Sequence, residues 1–173
     1  SVEGVRLIPT VFGTGTVVLT ALMAREMLPA GQGSGSGKFA VLLIGLAGLL
    51  SGAYLRPGML FQPVVFDIFY WALLSWLFLK YINTQKPRWL LWFGVAAGLG
   101  LLNKYSVLIF LFAMLPGLVF TRQRRIFAGK HLYRAAGLAL LVVSPNIAWQ
   151  VAHQFPVFRH LGELAATQFV HVT

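Results

Sequence analysis

Asp67 and Lys104 are the residues best suited to chemistry, because both are charged groups set in strongly apolar surroundings. Asp67 follows Phe61-Gln62-Pro63-Val64-Val65-Phe66 and precedes Ile68-Phe69-Tyr70-Trp71, an aromatic-rich helix start. An ionisable group at membrane depth is expensive and usually functional. A carboxylate there can take the proton of an attacking hydroxyl. Its plainer reading is an acid stabilised by the positive end of a helix, with the aromatic residues as an interfacial belt. Lys104 sits in Gly98-Leu99-Gly100-Leu101-Leu102-Asn103-Lys104-Tyr105-Ser106. It is a point charge for a lipid phosphate or, more plainly, a snorkelling anchor. Asn103 and Tyr105, its neighbours, are expected to join it in binding substrate. Arg56, held by Pro57-Gly58, and Arg6 are further candidates for substrate contact, or anchors. His153, His160 and His171 match no metal-binding spacing such as His-Glu-x-x-His, so no metal site is assigned. Trp149, Phe155, Phe158 and Phe169 read as the apolar side of an interfacial segment.

The elements that must carry these residues are membrane helices. Of 173 residues 58% are hydrophobic and only 10% charged, whereas a soluble domain has about 25% charged residues. The mean hydropathy is +0.76, and the charges cluster between long apolar runs. The absence of cysteine excludes disulfides, thiolate metal sites and a cysteine nucleophile. A net charge of +10 raises the question of nucleic acid. A nucleic-acid binder gathers its basic residues on a soluble face, and here they punctuate helices, so no nucleic-acid partner is expected. The expected fold is all-α: a polytopic transmembrane bundle forming one domain over residues 1–173. Both ends of the chain read as internal to a longer protein.

About 20 residues of helix cross a 30 Å hydrocarbon core. The apolar runs predict about six spans: Leu7–Ala24, Phe39–Leu55, Val64–Ile82, Trp89–Leu102, Tyr105–Phe120 and Ala135–Ala152. Gly31–Gly37 has the composition of a flexible loop; no strand precedes it and no Gly-Lys-Ser/Thr ending follows, so it is not a phosphate loop. Residues 153–173 are expected on the outer face. The decisive question is whether Trp89–Phe120 is one helix or two. As one helix it would extend for about 48 Å. With a turn at Asn103–Ser106, ten of the fourteen Lys and Arg residues fall on one side and four on the other. The positive-inside rule favours that turn and makes the ten-residue side cytoplasmic. Asp67 and Lys104 then share the outer side. The cytoplasmic Arg122–Arg125 cluster is accounted for by topology.

With these residues placed, the chain resembles the bacterial membrane glycosyltransferases of family 39, the protein O-mannosyltransferase-like group that includes aminoarabinose transferases acting on lipid A. The resemblance rests on Val5-Arg6-Leu7, Ala24-Arg25-Glu26, Leu55-Arg56-Pro57-Gly58, Phe61-Gln62-Pro63 with Asp67, Gly98 to Tyr105, and Ser144-Pro145-Asn146-Ile147-Ala148-Trp149-Gln150. It implies a GT-C fold with its active site on the outer face of the bacterial inner membrane. It also implies transfer of a sugar from a polyprenyl-phosphate donor to a glycan, lipid or protein acceptor. Under this resemblance Asp67 matches a second outer-side acid and Lys104 a lysine near the donor phosphate. The main catalytic acid would then precede Ser1, leaving this segment alone inactive. The resemblance leaves divalent-metal dependence, the sugar and the acceptor open.

Two other classes share some of these features. A secondary transporter also uses short, broken helices and intramembrane charge, but no repeat relates the two halves of the chain. A membrane assembly subunit would need no chemistry at all.

Overall fold

Prolines set the helix starts on which the site depends. In the computed structural model, which describes residues 2–28, 34–50, 61–157 and 162–163, Pro63 and Pro87 each occupy the first turn of a helix. There the missing N–H costs nothing and the fixed φ favours the helix. The helices in order are α1 (Val2–Met27), α2 (Ser34–Leu50), α3 (Pro63–Thr84), α4 (Pro87–Asn103), α5 (Ser106–Val119), a 3-10 helix (Arg122–Ala128) and α6 (Lys130–Ala152). No strand occurs among the described residues, and the chain is an all-α membrane bundle.

By length and composition, α1 from Leu7, α3 and α6 can each cross a membrane. A fourth crossing follows if α5 and the 3-10 helix, bent by 114° at their junction, count as one broken span. The other expected spans fall on α2, α4 and α5, and the end of the one expected over Phe39–Leu55 lies outside the described residues. Helices α4 and α5, with 17 and 14 residues, reach only about 26 and 21 Å. One difference lies in the glycine–serine stretch expected as loop through Gly37. Helix α2 already begins at Ser34. A helix's first turn has free N–H groups in any case, so composition alone does not keep Ser34–Gly37 out of it.

The chain reverses between α4 and α5. Val107, fully buried near the start of α5, packs in one cluster with Leu74, Leu77, Ala96 and Ala97. Leu118, near its end, packs instead with Leu90, Ile126 and Ala135. Helix α5 thus runs back alongside α3 towards the start of α4. Only Lys104 and Tyr105 separate the two helices, and Lys104 is extended, at φ −158° and ψ 135°. At the other end Gln85, in the left-handed region at φ 53°, closes α3 with its N–H on Tyr81 O at 2.7 Å.

In lipid no hydrophobic force drives apolar helices together, so close approach between small residues matters more. Gly94 and Gly98 provide it on α4. A Cβ on Gly94 would stand 2.2 Å from the Ala135 carbonyl oxygen of α6, and one on Gly98 would stand 2.7 Å from Val142 Cβ. Leucines, valines and phenylalanines lie exposed around the outside of the bundle, Phe112 and Leu141 among them, as a lipid-facing surface requires. Two polar groups of the helices are satisfied locally. Buried Thr16 donates to Phe12 O at 2.9 Å. Pro145 removes the N–H that would bond Leu141 O within α6, and the Ser144 hydroxyl donates to that carbonyl instead, at 2.8 Å.

An ion pair joins α1 to α3 at the end of the bundle away from Asp67. Lys80 Nζ lies 2.6 Å from Glu26 Oε1, and Asn83 Nδ2 donates to Glu26 O at 2.9 Å. The same ammonium stands 6.0 and 5.9 Å from the ring centres of Trp76 and Trp89. Among the described residues Glu26 is the one acid at this end, and the helix ends bring it onto Lys80.

Candidate active site

Asp67, Lys104 and Ser106 converge at one end of the bundle although they are up to 39 residues apart. Helix α3 presents Asp67 one turn below its proline start. Its carboxylate accepts from the Ser106 hydroxyl at 2.5 Å through Oδ1. Oδ2 lies 3.6 Å from Lys104 Nζ. The Asp67 side chain is 13% exposed and that of Lys104 48%, so the carboxylate is sheltered while the ammonium reaches outward. The influence of a helix N-terminus fades beyond the first turn. As the fifth residue of α3, Asp67 is held chiefly by Ser106 and Lys104, and the reading based on the helix end alone gives way to a side-chain cluster.

Lys104 owes its place to the break between helices. Its N–H still closes α4 on Gly100 O at 2.9 Å, and its extended backbone then turns the chain into α5. On either side the turn is tied down. Asn103 Nδ2 donates to Pro63 O at 3.1 Å, fastening the turn to the start of α3. Tyr105 donates its hydroxyl to Asn146 Oδ1 at 2.7 Å and accepts from Gln150 Nε2 at 3.2 Å. Both amides belong to α6, one helical turn apart. The backbone approach needed below the turn comes from Gly100, where a Cβ would press on Val107 and on Tyr70 at 3.0 and 3.2 Å.

The site therefore gathers Asp67 from α3, Asn103-Lys104-Tyr105-Ser106 from the turn, and Asn146 with Gln150 from α6. Ser106, Asn146 and Gln150 were not singled out as site residues from sequence. A signal for the last two existed: amides at i and i+4 in an apolar span share one helix face and need a partner there. Gln150 Oε1 is buried and takes no hydrogen bond from the protein among the described residues. Arg56 lies outside the described residues, as do His160 and His171 and the side chain of Arg6. His153 turns to its own helix, with Nδ1 2.9 Å from Trp149 O and its ring stacked on the indole. No three His, Asp or Glu side chains converge as metal ligands among the described residues.

Chemically, the cluster couples a sheltered carboxylate to an exposed cation and rims them with amides and a phenol. Comparison with known proteins gives it a context. The family model for dolichyl-phosphate-mannose-protein mannosyltransferases matches residues 1–149. The chain belongs to that family. No curated protein and no solved structure matched it. Members of this mannosyltransferase family are membrane glycosyltransferases that draw on lipid-linked sugars, which favours transfer chemistry over transport or assembly. The matched stretch includes Asp67, the Lys104 turn and Asn146, and ends one residue before Gln150.

Proposed function

We propose that this chain forms part of a glycosyltransferase that moves a sugar from a polyprenyl-phosphate donor to a glycan, lipid or protein acceptor on the outer face of a bacterial inner membrane. The observation that carries this reading is the Asp67–Lys104 pair at 3.6 Å, with the lysine the more exposed partner. In the transfer an acceptor hydroxyl attacks the anomeric carbon, the bond from that carbon to the phosphate oxygen breaks, and the phosphate departs with the electron pair. Lys104 offsets the charge that develops on the phosphate. Asp67 orients the acceptor or receives its proton alongside the principal carboxylate, which we place before Ser1. Asn103 and Tyr105 line the donor's path, and Arg56 is a further phosphate contact in this scheme. Gln150 Oε1 offers an acceptor for a sugar hydroxyl.

The test is sugar transfer from a synthetic polyprenyl-phosphate sugar by the intact purified enzyme. Asp67→Asn keeps the size and loses the charge. It should cut turnover tenfold or more, equivalent to about 1.4 kcal/mol or more in the barrier, with expression retained. Near-normal turnover in both Asp67→Asn and Lys104→Met would remove the pair from the reaction.

A further inference from the structure

The end of the bundle away from Asp67 holds a feature that the transfer reaction does not use. Beyond the bend of 114° after α5, the 3-10 helix buries Ile126 between Leu90 and Ala135 and leaves Arg122, Arg124 and Arg125 exposed. Thr121 secures its start, accepting from Gln123 N–H at 3.4 Å. Among the described residues no carboxylate pairs with any of the three guanidinium groups; the nearby acid, Glu26, is engaged by Lys80 and Asn83. Beside it, an open groove of about 610 Å³ runs between α3 and α5, lined by Phe78, Ile82, Met114, Gly117 and Leu118 and, towards the 3-10 helix, by Arg122. Two smaller hollows, of about 370 and 310 Å³, lie among the arginines themselves and share Arg122 with it.

We propose that this groove is a binding site for an anionic phospholipid of the surrounding leaflet, with its phosphate on Arg122, Arg124 and Arg125 and an acyl chain against Phe78, Ile82 and Leu118. The charge complementarity is direct: unpaired guanidinium groups are geometric partners for phosphate oxygens. Juxtamembrane basic clusters attract anionic lipid. Topology accounts for positive charge at this end, but not for an apolar groove opening beside it. A soluble anion would have no use for that lining, whereas a lipid uses both parts. The sugar donor is a poor occupant. Its phosphate is assigned to Lys104, and the 22 residues of α3 separate the two ends by roughly 33 Å.

Native mass spectrometry of the intact protein in detergent tests this independently of sugar transfer. Dioleoyl phosphatidylglycerol and dioleoyl phosphatidylcholine are offered in equal amounts. The parent should retain phosphatidylglycerol preferentially. Arg122→Gln/Arg124→Gln/Arg125→Gln should reduce that retention at least fivefold while leaving phosphatidylcholine unchanged. Gly117→Leu provides a second arm with all three charges in place. Space is open at Gly117, so the larger side chain fills the groove without a clash and should also lower phosphatidylglycerol retention. Equal retention of the two lipids by the parent overturns the site, as does undiminished phosphatidylglycerol binding in either variant. Displacement of phosphatidylglycerol by an equal concentration of polyprenyl phosphate would assign the groove to the donor and overturn the phospholipid.

Discussion

At the scale of single residues, Lys104 and Asp67 are both partners and separate actors. The 3.6 Å separation is loose for an ion pair and the lysine is half-exposed, so mutual attraction contributes little to stability, of the order of 1 kcal/mol or less. Lys104→Met should therefore leave thermal stability nearly unchanged while weakening binding of the polyprenyl-phosphate donor and lowering turnover. Lys104→Arg should recover part of the loss, because it restores charge with a different hydrogen-bonding geometry. Donor binding to purified variants, read beside their melting temperatures, measures both. Full donor affinity in Lys104→Met would leave the lysine as an anchor. Asp67 and Lys104 were legible in the sequence because a charge in an apolar run is conspicuous. Ser106 was not, since a serine beside a turn looks like ordinary turn chemistry until the fold sets it against a carboxylate 39 residues away.

At the scale of elements, glycine decides how closely α4 approaches α6. The contact at Gly94 is with backbone, the Ala135 carbonyl, which cannot rotate aside. Gly94→Val should force the helices apart and cost about 1–3 kcal/mol, as overpacking of a fitted interface does. Gly137→Val on α6, where nothing lies within 4 Å, is the control. Thermal unfolding in detergent compares them, and an equal melting temperature for Gly94→Val and parent would contradict the packing described. Helix ends marked by chemistry were readable: Pro63 and Pro87 open helices, and the polar Asn103-Lys104 breaks one. The start of α2 was obscured, because Gly31–Gly37 has a linker's composition and composition carries no information about what packs on it.

At the scale of the whole molecule, charge is distributed unequally between the two ends. Lys80, Arg88 and the Arg122–Arg125 group gather at one end, with Glu26 among them, while Asp67 and Lys104 face each other at the other. The positive-inside rule predicts that the first end is cytoplasmic. Lys86→Cys, in the exposed α3–α4 turn, should resist a membrane-impermeant thiol reagent added to intact cells, and Gln62→Cys, just before α3, should react. Labelling of Lys86→Cys from outside would invert the orientation. Helix α3 also has a mechanical role, since it buries Val65, Ala72, Leu74 and Leu77 along its length and is tied to α1 by the Lys80–Glu26 ion pair. Helix α5 is held more lightly, with Val107 its one fully buried residue, a proline at position 116, and a break at either end. Slow motions of the bundle should therefore concentrate in α5 while α3 stays still, as a post does beside a swinging door. Amide hydrogen exchange of the detergent-solubilised protein should find the strongest protection in the middle of α3 and the weakest helical protection in α5. A lipid that must enter from the side would then find its opening along the face that α5 covers.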